Sequence, residues 1–174
     1  VINLSFRFWL VECKSESNLK NYNNIELNSE EKTIKFLSDK IKINLGAIAK
    51  GYIADEMKRV LTEEYNIKSG ILNLGGNVLT IGTKENGEEY NVGICNPQDT
   101  SGIIESVKVS DKTVVTSGNY ERYFIGEDGK RYHHIVDPYT GYPAEKGYIS
   151  TTIIADKSID ADALSTATYV LGED

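Results

Sequence analysis

Both histidines of the 174-residue chain stand together in the stretch His133-His134-Ile135-Val136-Asp137-Pro138-Tyr139-Thr140-Gly141. Histidine is the side chain whose ordinary pKa lies nearest neutrality, so it takes up and returns protons most readily there. The Asp-Pro step followed by Thr-Gly reads as a strand running into a tight turn. An imidazole held at such a strand end is well placed to move a proton. The segment alone does not choose between the two rings. Packing of one in the core, with the other wetted at the surface, would account for the pair without any chemistry.

Three further segments carry residue types that suit a ligand. In Asn44-Leu45-Gly46-Ala47-Ile48-Ala49-Lys50-Gly51-Tyr52 a short strand turns through glycine into a helix. A helix N-terminus leaves N–H groups unpaired and carries a partial positive charge, which suits phosphate. Gly46 and Gly51 let a ligand approach the backbone, and Lys50 adds a full charge. The spacing is neither a Walker loop nor a dinucleotide fingerprint. A small-residue turn needed for close helix packing explains it equally. In Leu74-Gly75-Gly76-Asn77 the glycine pair supplies the positive φ of a hairpin turn, with or without a ligand. Third, Asp162 and Thr166 are four residues apart in Asp160-Ala161-Asp162-Ala163-Leu164-Ser165-Thr166-Ala167-Thr168 and share one helix face. A carboxylate and a hydroxyl suit a hard cation such as Mg²⁺, which prefers oxygen. The ordinary alternative is that Asp160 or Asp162 caps the helix while Thr166 bonds back to its own backbone. Small residues around both positions leave room for a ligand to come close.

The elements that must position these residues follow from the apolar pattern. The alternation predicts a strand over Val1 to Val11, an exposed loop from Lys14 to Asn24, and short strands at Thr33–Leu37 and Lys42–Leu45. A helix is expected from Ala49 to Tyr65, with Ile53, Met57, Val60 and Leu61 as its buried stripe. Eight short strands then follow: Ile71–Leu74, Val78–Ile81, Tyr90–Cys95, Ile103–Val109, Thr113–Thr116, Tyr120–Ile125, Tyr132–Val136 and Tyr148–Ala155. A second helix, Asp160–Leu171, closes the chain. Many strands in sequence with two helices predict an α+β fold on a largely antiparallel sheet, in one domain over residues 1–174.

A net charge of −7 argues against nucleic acid as a partner, since no basic excess exists to neutralise phosphates. Lys50, Arg122, Lys130 and Arg131 remain available for a small anionic ligand. Cys13 and Cys95 match no metal-ligand spacing and form no disulfide framework. No apolar run approaches the length of a membrane span.

Taken in order from Ile25 to Gly172, these motifs resemble the ApbE family, flavin transferases that move FMN from FAD onto a protein threonine. The resemblance is carried by Asn44 to Asp55, Leu74 to Asn77, Gly93-Ile94-Cys95-Asn96-Pro97 and Thr116-Ser117-Gly118-Asn119-Tyr120-Glu121-Arg122. His134-Ile135-Val136-Asp137-Pro138 with Thr140-Gly141, and the helix from Asp162 to Gly172, complete it. It implies Mg²⁺ held by Asp162, Thr166 and the backbone carbonyl of Ala47. It also implies contacts to FAD from Asn44, Lys50 and Ile135, and a catalytic role for His134 rather than His133. The implied partners are FAD and an acceptor flavoprotein bearing the target threonine. Water in place of threonine would make the same site an FAD pyrophosphatase, and an inactive flavin-binding remnant is a further alternative. Asn44 stands where the family usually has Asp, which alters a ribose or adenine contact. Family members are normally longer at both ends, so a fragment is expected, and they are commonly exported and lipid-anchored. The run Asp162 to Thr168 also loosely resembles the motif these enzymes modify, which raises the alternative of an acceptor carrying FMN on Thr168.

Overall fold

The computed structural model describes residues 24–39 and 43–173. In chain order its elements are β1 (Ile25–Asn28), β2 (Thr33–Phe36), α1 (Ala49–Glu63), β3 (Gly70–Asn73), β4 (Asn77–Ile81), β5 (Tyr90–Cys95) and β6 (Ile103–Val109). Then come β7 (Thr113–Gly118), β8 (Tyr123–Ile125), β9 (Arg131–His133), β10 (Ser150–Ala155) and α2 (Ser158–Leu171). Four strands make the central antiparallel sheet in the order β10-β7-β4-β3, and β1-β2, β5-β6 and β8-β9 are separate antiparallel hairpins. This is the expected α+β architecture. The expected strand over Val1–Val11, and the loop after it as far as residue 23, lie outside the described residues.

The register of the two middle strands separates the layers. Val78 pairs with Val114 and Leu79 with Thr113, and successive side chains of a strand face opposite sides. Asn77, Leu79, Thr113, Val115 and Ser117 therefore share one face, and Val78, Val114 and Thr116 the other. On the first face Leu79 and Ile81 bury against Ala54, with Leu61 of α1 beside them. On the second face Val78 and Val114 meet Val92, Val107 and Val109 of the β5-β6 hairpin. A third cluster ties Ile135 and Ala144 to Tyr169 and Val170 at the far end of α2, with Tyr148 packed on it.

The buried face of α1 is not the expected one. Ile53 and Met57 are 48% and 39% exposed, and Val60 and Leu61 are half-buried. The fully buried positions are Gly51 and Ala54. Helix α2 crosses so close that only small side chains fit, and hydrophobic periodicity scores size rather than closeness. A methyl at Gly51 would lie 2.7 Å from the Ile159 Cα and nearer still to the Ser158 carbonyl. Gly51→Ala is accordingly expected to lower stability by about 1–3 kcal/mol or more, because both obstacles are backbone and cannot turn aside. Urea unfolding checks this, and a variant as stable as the parent would show that the helices separate freely.

Two other expectations are corrected. Residues 43–45 form no strand, and Lys42 lies outside the described residues. Nor does Asp160 or Asp162 cap α2. Its N-cap residue, Lys157, makes no side-chain cap bond. The acceptor comes from the other helix: the Ser158 and Ile159 N–H groups donate to Oδ1 and Oδ2 of Asp55, each at 2.9 Å. Gly172 closes the helix with φ of 81° and ψ of −154°, a positive-φ backbone that glycine adopts without strain. Among the described residues no helix is long and apolar enough to cross a membrane.

Candidate active site

The turn before α1 is shaped by its own side chain. Asn44 Oδ1 accepts from the Gly46 N–H at 2.7 Å, and the Ile48 and Ala49 N–H groups both donate to the Leu45 carbonyl. Asn44 is exposed, and its amide oxygen is already engaged in the turn. Its NH₂ group is the part left to meet a ligand.

Gly51 stands in the opening turn of α1, where the N–H groups of a helix have no partner of their own. Ala47, four residues back, precedes the N-cap residue Ile48 and belongs to the turn rather than to the helix. The Gly51 N–H donates across to Asp162 Oδ2 at 2.8 Å. Among the described residues no N–H donates to the Ala47 carbonyl, so that oxygen is left with its lone pairs available. Asp162 is 3% exposed, and among the described residues nothing donates to its second oxygen. Burial raises the pKa of this carboxyl, against the opposing pull of the Gly51 N–H and the Lys50 charge. Thr166 lies one turn further along α2, its hydroxyl hydrogen-bonded to Ser117 Oγ at 3.0 Å. Ser117 in turn bonds Ser165 Oγ at 2.8 Å.

This donor set fits Mg²⁺. A half-used buried carboxylate, a hydroxyl and a turn carbonyl are all hard oxygen ligands, too few to fill an octahedron and therefore suited to an ion that keeps phosphate or water oxygens. Among the described residues no three His, Cys, Asp or Glu gather at one point.

Lys50 links this group to the second motif. Its ammonium donates to the Gly75 carbonyl at 2.8 Å. Gly75 and Gly76 have φ of 65° and 76°, the positive values that the predicted hairpin turn requires. Beyond that turn opens a cleft of about 400 Å³, lined by Val78, Val92, Val114, Thr116, Tyr120 and Glu121 among others. The first and second motifs, separate in the sequence, are thus joined by the Lys50–Gly75 bond.

The structure separates the histidines. His133 ends β9, is 7% exposed and meets the Tyr169 ring edge-on, with centroids 5.7 Å apart. Burial pushes its pKa below the ordinary 6.5, and the neighbouring His134 adds to that. His134 is exposed, past the strand end, and its Nδ1 lies 3.2 Å from the Arg122 carbonyl. A carbonyl only accepts, so in the neutral ring Nδ1 carries the proton and Nε2 is left as the base. Ile135 is a core residue whose side chain packs with Ala144 and Tyr169. Only its backbone can face a ligand.

The His133 shift makes stability depend on pH. Its folded pKa is lowered, so the neutral ring contributes stability that is complete above the unfolded value of 6.5 and is lost as pH falls below it. Urea unfolding should therefore show stability declining as pH drops below 6.5, with a flatter profile in His133→Phe. An unchanged slope in that variant would place the titration elsewhere.

Helix α2 holds all of these parts. Asp162 and Thr166 stand one turn apart along its middle, and its last turn packs Tyr169 and Val170 under the histidine segment. Asp162 takes the Gly51 N–H, the Thr166 hydroxyl reaches back to the Asp162 carbonyl at 3.5 Å as well as to Ser117, and Lys50 is bonded to Gly75. Among the described residues no hydrogen bond joins His134 to them. Three contributors were not singled out from the sequence: Ser117, which holds Thr166, the Arg122 carbonyl, which fixes the imidazole tautomer, and Asp55. All three lie within motifs quoted for the resemblance, but backbone roles and bonds between distant segments leave no signal in residue spacing.

The ApbE family model matches residues 11–174. The chain belongs to the ApbE family. A FAD:protein FMN transferase of Treponema pallidum (strain Nichols) is 43% identical over 151 residues, covering 80% of this chain and 41% of that protein. One from Klebsiella pneumoniae (strain 342) is 43% identical over 133 residues, 76% of this chain and 40% of that protein. This ApbE chain thus spans about two fifths of the length of these curated relatives. Among solved structures, the ApbE protein of Thermotoga maritima superposes with a TM-score of 0.82 at 33% identity, covering 99% of this chain and 59% of that one. The flavin transferase ApbE of Vibrio cholerae, 24% identical, gives 0.75 over 99% of this chain and 58% of its own, a likeness of fold.

Proposed function

We propose that this ApbE chain serves magnesium-dependent transfer of FMN from FAD to a threonine hydroxyl of an acceptor protein, with release of AMP. The observation that carries the reading is buried Asp162, which takes the Gly51 N–H on one oxygen and keeps the other open beside Lys50, with the Ala47 carbonyl uncovered among the described residues in the turn before α1. Oxygen ligands and a lysine at a helix N-terminus are what a pyrophosphate with its cation requires. The segment that bears them is also the segment shared with relatives named FAD:protein FMN transferase.

In this reading Ala47 O, Asp162 and Thr166 hold the ion, and Lys50 sets a positive charge against the phosphates. Bound magnesium supplies charge neutralisation at the pyrophosphate and orients it for in-line displacement. The threonine oxygen attacks the FMN phosphorus, the bond from that phosphorus to the bridging oxygen breaks, and AMP leaves with that oxygen. Nε2 of His134 accepts the hydroxyl proton, while the Arg122 carbonyl keeps the opposite nitrogen protonated. Because His134 is exposed, water can approach the same base, and hydrolysis of FAD to FMN and AMP is the competing outcome.

The test incubates the protein with FAD, Mg²⁺ and an acceptor bearing the target threonine. Flavin mass on the acceptor with equimolar AMP is expected. Free FMN with AMP would replace transfer by hydrolysis, and flavin attached to Thr168 of this chain would make it an acceptor. No AMP from FAD that binds would contradict both catalytic readings.

A further inference from the structure

The two helices cap one another. Asp55 of α1 accepts the first two N–H groups of α2, from Ser158 and Ile159. Asp162 of α2 accepts the N–H of Gly51 in the opening turn of α1. Each helix thus lends a carboxylate to the other's N-terminus, where free N–H groups and the helix dipole favour negative charge. Gly51 and Asp55 are one turn apart on α1, and Ser158 and Asp162 are one turn apart on α2. The bonds run in opposite order along the two helices, so they form a two-point clamp between antiparallel segments. One point alone would let the helices pivot or slide, whereas two points one turn apart fix their register.

That register matters because the proposed ion ligands sit on both sides of it. Ala47 precedes α1, and Asp162 and Thr166 belong to α2. Asp162 has to be both a clamp member, through Oδ2, and an ion ligand, through its other oxygen. Asp55 is free of that double duty. Among the described residues no hydrogen bond joins it to any of the ligands, yet its bidentate hold on Ser158 and Ile159 sets where α2 begins. The site is also braced from below: Ser158, fully buried, donates to Asn77 Oδ1 at 2.8 Å and bonds Thr113 Oγ1 at 3.1 Å. The start of α2 is thereby fixed to β4 and β7, and the remaining freedom is its approach to α1.

We infer that Asp55 is a positioning residue for the metal site, holding α2 in the register that sets Asp162 and Thr166 against the Ala47 carbonyl. This rests on the magnesium reading above. Removing a residue that orients ligands typically weakens metal affinity about 10–100-fold. The probe is Mn²⁺ alone, an oxygen-preferring stand-in for magnesium, titrated into the full chain and followed by electron paramagnetic resonance. Asp55→Ala should raise the Mn²⁺ dissociation constant by at least about tenfold. Asp55→Asn keeps one acceptor oxygen and should fall between Asp55→Ala and the parent. Leu61→Ala, which weakens the packing of α1 without touching the clamp, should lower the unfolding temperature and leave Mn²⁺ affinity unchanged. Saturable binding by the parent with the same affinity in Asp55→Ala would overturn the inference alone. An equal loss of affinity in Leu61→Ala would also overturn it, since general destabilisation would then suffice. Absence of saturable Mn²⁺ binding in the parent would overturn both the inference and the metal reading beneath it.

Discussion

Replacing His134 with Ala is expected to slow FMN transfer by about 10²–10⁴-fold, the range a positioned general base supplies, while leaving FAD affinity close to that of the parent. The ring is exposed, so its removal opens no cavity. His133→Ala should behave in the opposite way. That ring packs edge-on against Tyr169 inside the fold, so its loss should lower the unfolding temperature and reduce transfer only as far as folded protein is lost. Flavin fluorescence quenching gives the affinity, and AMP release gives the rate. Equal rate losses per folded molecule in both variants would remove the distinction between the two rings. A lost FAD affinity in His134→Ala would make it a binding group rather than a base. The expectation depends on the Arg122 carbonyl, because that contact leaves Nε2 unprotonated in the neutral ring.

Asp162→Asn is expected to separate stability from function. Burial raises the folded pKa of Asp162 above the ordinary 3.8. The protonated form is therefore favoured by folding, and the group contributes stability at acid pH that is lost as pH rises through its folded pKa. At neutral pH, without metal, the ionised side chain opposes folding. The amide is neutral and its oxygen can still accept the Gly51 N–H, so the metal-free variant should unfold at a higher temperature than the parent at pH 7. The same change removes the negative ligand. If the ion supplies several kcal/mol of charge stabilisation, transfer should fall by roughly 10²–10³-fold or more. Thermal unfolding with and without Mg²⁺ checks both halves: the parent should be stabilised by the ion and the variant should not. A variant less stable than the parent in the absence of metal would show that the Gly51 bond outweighs the desolvation of the charge. A variant still stabilised by Mg²⁺ would place the ion elsewhere. Sites that oppose folding for the sake of function are a common cost of activity.

The strands and helices were readable because each strand alternates or runs apolar and each helix has a repeat of its own. β5 and β6 match their expected ranges to the residue. What failed is informative. Ile53 and Met57 repeat at helical spacing yet are exposed, because the closest contact of α1 is made by Gly51, a residue with no side chain to count. Asp160 and Asp162 stand where a cap was expected, but the cap of α2 is Asp55, a hundred residues away, and Asp162 faces α1 instead. Short-range rules for caps see only neighbours in sequence. Of the candidate site, Asp162, Thr166 and Lys50 were visible as chemistry at a stated spacing. The Ala47 carbonyl was not, since residue types and spacing do not show which carbonyl of a turn is left uncovered by an N–H. The choice of His134 over His133 came through the family resemblance. The structure adds the physical difference between them, one imidazole buried against Tyr169 and the other held by Arg122 at the surface.

The most direct test of the proposed centre is a crystal structure of the protein with FAD and Mn²⁺, with data collected for the anomalous signal of manganese. An anomalous peak is expected among the Ala47 carbonyl, Asp162 and Thr166, in contact with the pyrophosphate oxygens, with Lys50 on the phosphates and Nε2 of His134 facing the FMN phosphorus. A manganese peak away from Asp162 and Thr166, or a pyrophosphate bound out of reach of Lys50, would contradict the account.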